Sequence, residues 1–368
     1  VTPFLRKLLG LNWLLIGVML GLAGFGIVAI YSATYFYEGS YNNFWRQQLM
    51  WVALGTVIFL VTSLIDYRWV KWGALPMYIC SVMFLLLTLI KGTRVNGAKS
   101  WLHLGPINFQ PAQLAIIGGI LIIALLLSQF RSWHPMLRLA LVGAIAGGPM
   151  LLILKQPDLG ETIVWGPVLL AMLLVAGIPL RYIICITLLV VTAMPIAFYF
   201  KLEPYQQARI TAFMHPEVDP KGAAWDINNS LSAIGSGGWN GKGFLSPDAL
   251  VGQGIFKTAG HTDYIFTTIS EQWGFIGSVL VLGAFALLLL ICLFTAYHAS
   301  DELGMLISVG LAALLFFHIY QSVGMTIALM PITGVPLPLL SYGGSFAVLV
   351  MFGLGLVNSV WVHRKSLA

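Results

Sequence analysis

Apolar residues gather in ten long blocks, near 12–33, 47–65, 70–91, 111–130, 136–154, 162–178, 181–200, 273–297, 304–329 and 343–361. Within each block the apolar run is continuous rather than alternating, which predicts helices and not the strands of a β-barrel. A helix rises about 1.5 Å per residue, so about 20 residues cross a hydrocarbon layer about 30 Å thick. The expected fold is an all-α membrane protein, a polytopic bundle of about ten transmembrane helices forming one integral domain over residues 1–368. Connections between blocks are short, except residues 201–272 between the seventh and eighth. A structureless connection longer than about 15 residues is uncommon. This one carries Phe213, Trp225, Ile227, Leu231, Ile234, Trp239, Phe244 and Phe256 among its polar residues. It predicts short amphipathic helices on the membrane surface, punctuated by Gly235, Gly237, Gly238, Gly241 and Gly243.

Composition agrees, at 59% hydrophobic and 9% charged residues, against about 25% charged in an ordinary soluble domain. The net charge of +6 is spread along the chain without a basic cluster, which speaks against a nucleic-acid partner. Cys80, Cys185 and Cys292 all lie in apolar blocks, show no metal or disulfide spacing, and are expected as small buried hydrophobes. The first block is too long for the apolar core of a cleaved signal and is taken as the first span.

Ten spans put both termini on one side. The short connections on that side carry nine basic residues, Arg6, Lys7, Arg68, Lys71, Arg131, Arg138, Arg181, Arg364 and Lys365. The opposite connections carry five, Arg46, Lys91, Arg94, Lys99 and Lys155. The excess of Lys and Arg assigns the termini to the cytoplasm and the 201–272 connection to the outer face. Asp66, Asp301 and Glu302 are then cytoplasmic, and the other ten of the thirteen Asp and Glu lie at or beyond the outer face. The insertion cost of a carboxylate explains why they avoid the spans, not why they favour one side. Chemistry or binding on the outer face would explain it.

The stretch AGHTDYIFTTISEQWG, residues 259–274, places Asp263 where an apolar block is about to begin. Two readings stay open. Thr262 and Asp263 suit a helix start. Asp263 also suits a general base, provided apolar walls lift its pKa from about 3.9. His261 is a supporting or surface residue on this reading, not a metal ligand. In PYQQARITAFM, Tyr205 and Arg209 are spaced i, i+4 and share a helix face, and the Arg fork suits phosphate or carboxylate. A snorkelling interfacial arginine fits the same spacing. ITGVPLPLLSYGGS, residues 332–345, cannot be regular helix around Pro336 and Pro338. It is either a packed re-entrant turn or an anion-binding nest at Ser341, Gly343 and Gly344. Trp101 and Gln110 front the fourth block, and Lys155, Asp158 and Glu161 lie outside the sixth, where solvated helix-end charges are the plain account. His318 and Gln321, inside the ninth block, suit a proton path or a satisfied structural pair. Polar groups therefore collect over one membrane face, and an anionic amphiphile such as a lipid phosphate is the natural ligand.

The segments YSAT, RQQL, QPDLG, YQQAR, DPKG, IGSGGWNGKG, HTDYIF and GVPLPLLSYGGS, in this order, resemble the SEDS family (shape, elongation, division and sporulation). Pro336 in GVPLPL places the resemblance nearer the rod-shape branch than the division branch. The resemblance implies a peptidoglycan glycosyltransferase that polymerises lipid II in the bacterial cytoplasmic membrane beside a class B penicillin-binding protein. It implies that Asp263 is the essential acid, with Arg209, and less strongly Lys155 or Lys242, stabilising departing undecaprenyl pyrophosphate. Tyr205, Trp101, Gln110, Asp158, His261, Ser341, Gly343 and Gly344 are the remaining candidates for holding substrate. The chain departs from the family at Ser100-Trp101, where RW is usual. It departs at Gln113 and Ile116, where a Glu and a Lys are usual, and at Gln272 and Ser322. The lost Glu–Lys pair is expected to be structural or regulatory. No organic cofactor is expected, and Mg²⁺ or Mn²⁺ with the pyrophosphate stays open. A lipid II flippase and a non-catalytic scaffold for the transpeptidase are the rival functions. No repeat relates the two halves, which weighs against a transporter.

Overall fold

The computed structural model describes residues 7–35, 43–95, 98–105, 107–200, 204–215, 224–251, 253 and 260–364. The DPKG segment, Phe256, Arg6 and Lys365 lie outside them. Each apolar block forms one helix: α1 Trp13–Thr34, α2 Phe44–Leu64, α3 Val70–Lys91, α4 Pro111–Gln129, α5 Pro135–Lys155, α6 Leu159–Val175 and α7 Leu180–Phe200. After the long connection come α10 Ile265–Tyr297, α11 Glu302–Thr326 and α12 Gly344–Val362. Among the described residues eight of these are long and apolar enough to cross a membrane, and α6, at 17 residues, is apolar but shorter. The chain is a multi-pass membrane protein.

Helix ends follow local chemistry. Pro111 and Pro135 open α4 and α5 at positions where no amide hydrogen is missed. Asn12, Asp158 and Asp301 cap α1, α6 and α11 with side-chain oxygens. α4 and α11 are buried along most of their length and form the centre. α3, α5 and residues 180–192 of α7 turn most of their surface outward. Small residues allow close helix approach, as expected where apolar burial no longer drives association. A Cβ on Gly355 of α12 would lie 2.9 Å from the Phe59 carbonyl oxygen of α2, and Gly344 packs directly on Trp51. Cys292 is buried, whereas Cys80 and Cys185 face outward on the bundle surface, against expectation.

Three features were not foreseen. First, a small antiparallel sheet, β1 Thr93–Val95, β2 Ala98–Leu104 and β3 Ile107–Phe109, fills the connection before α4. Lys99 ties it to the bundle by donating to the last carbonyls of α3, Leu89 at 2.8 Å and Ile90 at 2.9 Å.

Second, the long connection is only partly a surface layer. It contains α8 Pro204–Met214 and α9 Trp225–Gly237. Its last part, Ile265–Gln272, is a fully buried helical segment and the first stretch of α10. Third, α10 breaks at Gly274, with φ 66° and ψ −161°. The break frees peptide groups that the preceding loop takes up. The Phe275 amide donates to the Gly238 carbonyl at 2.8 Å and the Ile276 amide to Trp239 at 3.2 Å, while Lys242 and Gly243 donate to the Glu271 and Gln272 carbonyls. A Cβ on Gly274 would meet the Gly241 amide and stand 2.6 Å from the Trp239 oxygen. Positive φ and a blocked site together make Gly274→Ala expected to destabilise by more than about 2 kcal/mol. A melting curve in detergent checks it.

Candidate active site

At the bundle end that bears the sheet and the long connection, a cavity of about 320 Å³ opens between α4, α6, α8 and the segment joining α11 to α12. The joining segment is irregular, as its prolines require. Its carbonyls are held by side chains from α11, Gln321 donating to Pro331 at 2.9 Å, with His318 Nδ1 3.4 Å from the Pro336 oxygen. Those two polar residues therefore brace the loop instead of lining a proton path. Ser341 closes the turn, accepting from the Leu337 amide at 2.9 Å and donating to the Thr262 carbonyl at 2.6 Å. This last bond pins the turn that carries Asp263 against the joining segment.

Asp263 lines the cavity. α10 begins at Ile265 with Tyr264 as its cap, so Thr262 does not cap the helix and Asp263 does not sit in its first turn. The helix-start reading of these two residues is thereby corrected. A Cβ on Gly334, at φ 73°, would stand 3.4 Å from Asp263 Oδ2, so the joining segment lies directly on the carboxyl. Burial pushes the Asp263 pKa up to about 6; the Arg209 guanidinium opposes the rise and Asp226 adds to it. Arg209 is the basic side chain lining the cavity among the described residues, and its charge acts on Asp158, Asp226 and Asp263 together. The i, i+4 spacing on α8 places its guanidinium 5.6 Å from the centre of the Tyr205 ring. The Tyr205 hydroxyl donates to the Pro157 carbonyl, and Gln206 donates to the same oxygen at 2.9 Å, which fastens α8 to the start of α6.

Of the residues expected from sequence, Asp263, Arg209, Tyr205, Trp101, Gln110, Asp158 and Gly343 line this cavity. Five others do not. Lys155 is exposed in the last turn of α5. Ser341 is spent in the turn. The nest is not formed: the Gly343 amide donates to Gln48 Oε1 at 3.3 Å, and Gly344 is packed on Trp51. His261 is not a surface residue; it is 5% exposed and stacks on Phe44 at 4.7 Å. Lys242 pairs with the buried Glu271 at 2.7 Å. Glu271 also accepts from the Leu250 and Val251 amides, at 2.6 and 3.1 Å, so Lys242 belongs to a clamp on the 238–251 loop. Lys242→Met is expected to lower thermal stability by about 3 kcal/mol, because it leaves a buried carboxylate without its cation. Substrate KM should stay within about twofold, which steady-state kinetics would check.

The structure adds residues that were not among the sequence candidates for holding substrate. Gln206, Ser100 and Glu161 line the cavity. Glu161 is 2% exposed, so it is not the solvated helix-end charge expected of it. Asp226, at the start of α9, acts on the electrostatics of Asp263 from outside the wall. Its one sequence signal was a carboxylate beside Trp225 at a helix start. Among the described residues no three His, Cys, Asp or Glu side chains converge as a metal cage.

Residues 12–366 match the family model for FtsW, RodA and SpoVE, described as a cell cycle protein. The chain is 33% identical to the peptidoglycan glycosyltransferase RodA of Treponema pallidum (strain Nichols), covering 97% of this chain and 98% of that one. Its fold resembles a chain from a structure described as structural coordination of polymerization and crosslinking by a peptidoglycan synthase complex. That likeness has a TM-score of 0.81 at 28% identity, over 97% of this chain and 99% of the other. It also resembles the crystal structure of the rod shape determining protein RodA of Thermus thermophilus, with a TM-score of 0.72 at 28% identity, over 96% and 98%.

Proposed function

The chain belongs to the FtsW, RodA and SpoVE family, and from that membership we propose that it is a peptidoglycan glycosyltransferase polymerising lipid II during cell elongation. The cavity opens, on this reading, at the outer face of the bacterial cytoplasmic membrane, with both termini cytoplasmic. The observation that carries the reading is that Asp263 and Arg209 line one cavity, with the guanidinium close enough to act on the carboxyl. A carboxyl with a pKa near 6 is largely ionised at neutral pH and basic enough to receive a proton. The guanidinium in the same lining suits an anion that gains charge during reaction.

Asp263 takes the proton of the acceptor's 4-hydroxyl on N-acetylglucosamine. That oxygen attacks the anomeric carbon of the donor N-acetylmuramic acid, and undecaprenyl pyrophosphate departs toward Arg209. Donor and product linkages are of opposite configuration, so one displacement and one base suffice. Tyr205 and Gln206 hold Arg209 in reach by fixing α8 to Pro157. A class B penicillin-binding protein is the transpeptidase partner on this reading, in keeping with the synthase complex to which the fold is similar.

The deciding assay gives purified chain, with and without that partner, lipid II in detergent and in liposomes. Glycan strands support the polymerase. Lipid II crossing the bilayer without strands would assign a flippase, and tight partner binding with neither would assign a scaffold.

A further inference from the structure

One corner of the cavity takes no part in the proton transfer just described. Gln113 of α4 and Asp158 and Glu161 of α6 form a closed ring there with Gln110. Gln113 Nε2 donates to Gln110 Oε1 at 2.9 Å and approaches Glu161 Oε1 at 3.4 Å. Gln110 Nε2 donates to Asp158 Oδ2 at 3.2 Å, and the Glu161 amide donates to Asp158 Oδ1 at 3.2 Å. The donors are spent inside the ring, and oxygens are left over. Gln113 Oε1, Glu161 Oε2 and, on the adjoining segment, Thr333 Oγ1 are closed to solvent without a hydrogen-bond partner. Gln113 is 4% exposed and Glu161 2%.

Charge is left over as well. An ionised carboxylate removed from water costs several kcal/mol unless an opposite charge meets it. Arg209 acts on Asp158, while the groups acting on Glu161 are Asp158 and Gln113. Ile116, one turn beyond Gln113, is apolar and fully buried, so α4 brings no cation to this corner.

We infer that Gln113, Asp158 and Glu161 hold a divalent cation of the magnesium and manganese class, whose remaining positions take water and, in turnover, pyrophosphate oxygens. Two carboxylates and an amide carbonyl are an oxygen-only donor set, which hard cations select. A magnesium-sized ion commonly uses one or two carboxylates, keeps several waters and completes its shell on substrate phosphates. Such an ion would neutralise the corner and draw off charge from the leaving group. That role rests on the polymerase reading; the binding itself does not. The competing counter-charge is a proton on Glu161.

The test is a titration of Mn²⁺ into the purified, substrate-free chain at pH 7.5, with free ion read by electron paramagnetic resonance. One saturable site per chain is expected, weakened about tenfold or more by Glu161→Gln and by Gln113→Leu. Asp263→Asn should leave it in place. If Glu161→Gln does not survive purification, Glu161→Asp, which keeps the charge and shortens the reach, should weaken binding in the same way. No saturable binding to the wild type, or equal binding to the Glu161 variants, overturns the inference. So does a protonated-carboxyl infrared band that disappears in Glu161→Gln. Glycan formation is scored separately, so loss of the metal site and loss of the polymerase reading give different results.

Discussion

Asp263→Asn is expected to lower the rate of glycan polymerisation by about 10²–10⁴-fold, the usual worth of a positioned acid–base group. The substitution keeps the shape of the side chain and removes its ability to take a proton. The cavity wall should survive, because the approach to residue 263 is pinned by Ser341 on the Thr262 carbonyl and not by the carboxyl. Stability should in fact rise. A carboxyl whose pKa is lifted from 3.8 to about 6 in the fold favours the protonated form. Its cost to stability is absent below the unfolded value and fully present above the folded one. At neutral pH the asparagine variant sheds that cost, so a higher melting temperature should accompany a nearly silent enzyme. Polymer yield from labelled lipid II and a melting curve on the same preparation check both halves. A variant keeping more than about a tenth of the wild-type rate would remove Asp263 from the role of base.

Arg209→Ala is expected to cut kcat by about 10²-fold, the scale seen when one preorganised stabilising group is lost. It should also move the pH profile. On the proposed mechanism the active base is ionised Asp263, so the rate should fall as pH drops through about 6. Arg209 holds that value down, and its removal should carry the acid limb to higher pH. Asp226 pushes the other way, and its effect on the limb has the opposite sign. A merely structural arginine would lower the rate without moving the limb. Initial rates between pH 5 and 8 for the wild type and Arg209→Ala separate the two accounts.

The helices were legible because lipid makes apolar periodicity unnecessary: a block of about 20 apolar residues is sufficient. The boundaries at Val70–Lys91 and Pro111–Gln129 fall where the composition changes. Proline spacing marked the irregular segment around Pro336, and i, i+4 spacing joined Tyr205 to Arg209. What could not be read is burial of polar chain. Ile265–Gln272 contains Thr267, Thr268, Ser270, Glu271 and Gln272, which by composition belong at a surface. They are buried because partners distant in sequence satisfy them: Ser230 for Thr267, Lys242 for Glu271, Ser32 for Gln272. Glu161 was misjudged because what covers it comes from far along the chain, Gln113 lying 48 positions away. Two strands of the sheet have three residues, too short to set a period-two pattern, and the seven-residue strand, AKSWLHL, does not alternate cleanly.

The interruption at Gly274 has a mechanical meaning. The amides of Phe275 and Ile276 end on the Gly238 and Trp239 carbonyls, and the Lys242 and Gly243 amides end on carbonyls of the helix. The stitching is main chain to main chain, so most side-chain drift in either partner leaves the seam intact. A tilt of the span below the seam would tug the 238–251 loop with it, and through Glu271 the short buried segment that follows Asp263. A push on the outward side of this span would thus be felt next to Asp263 without anything touching the cavity.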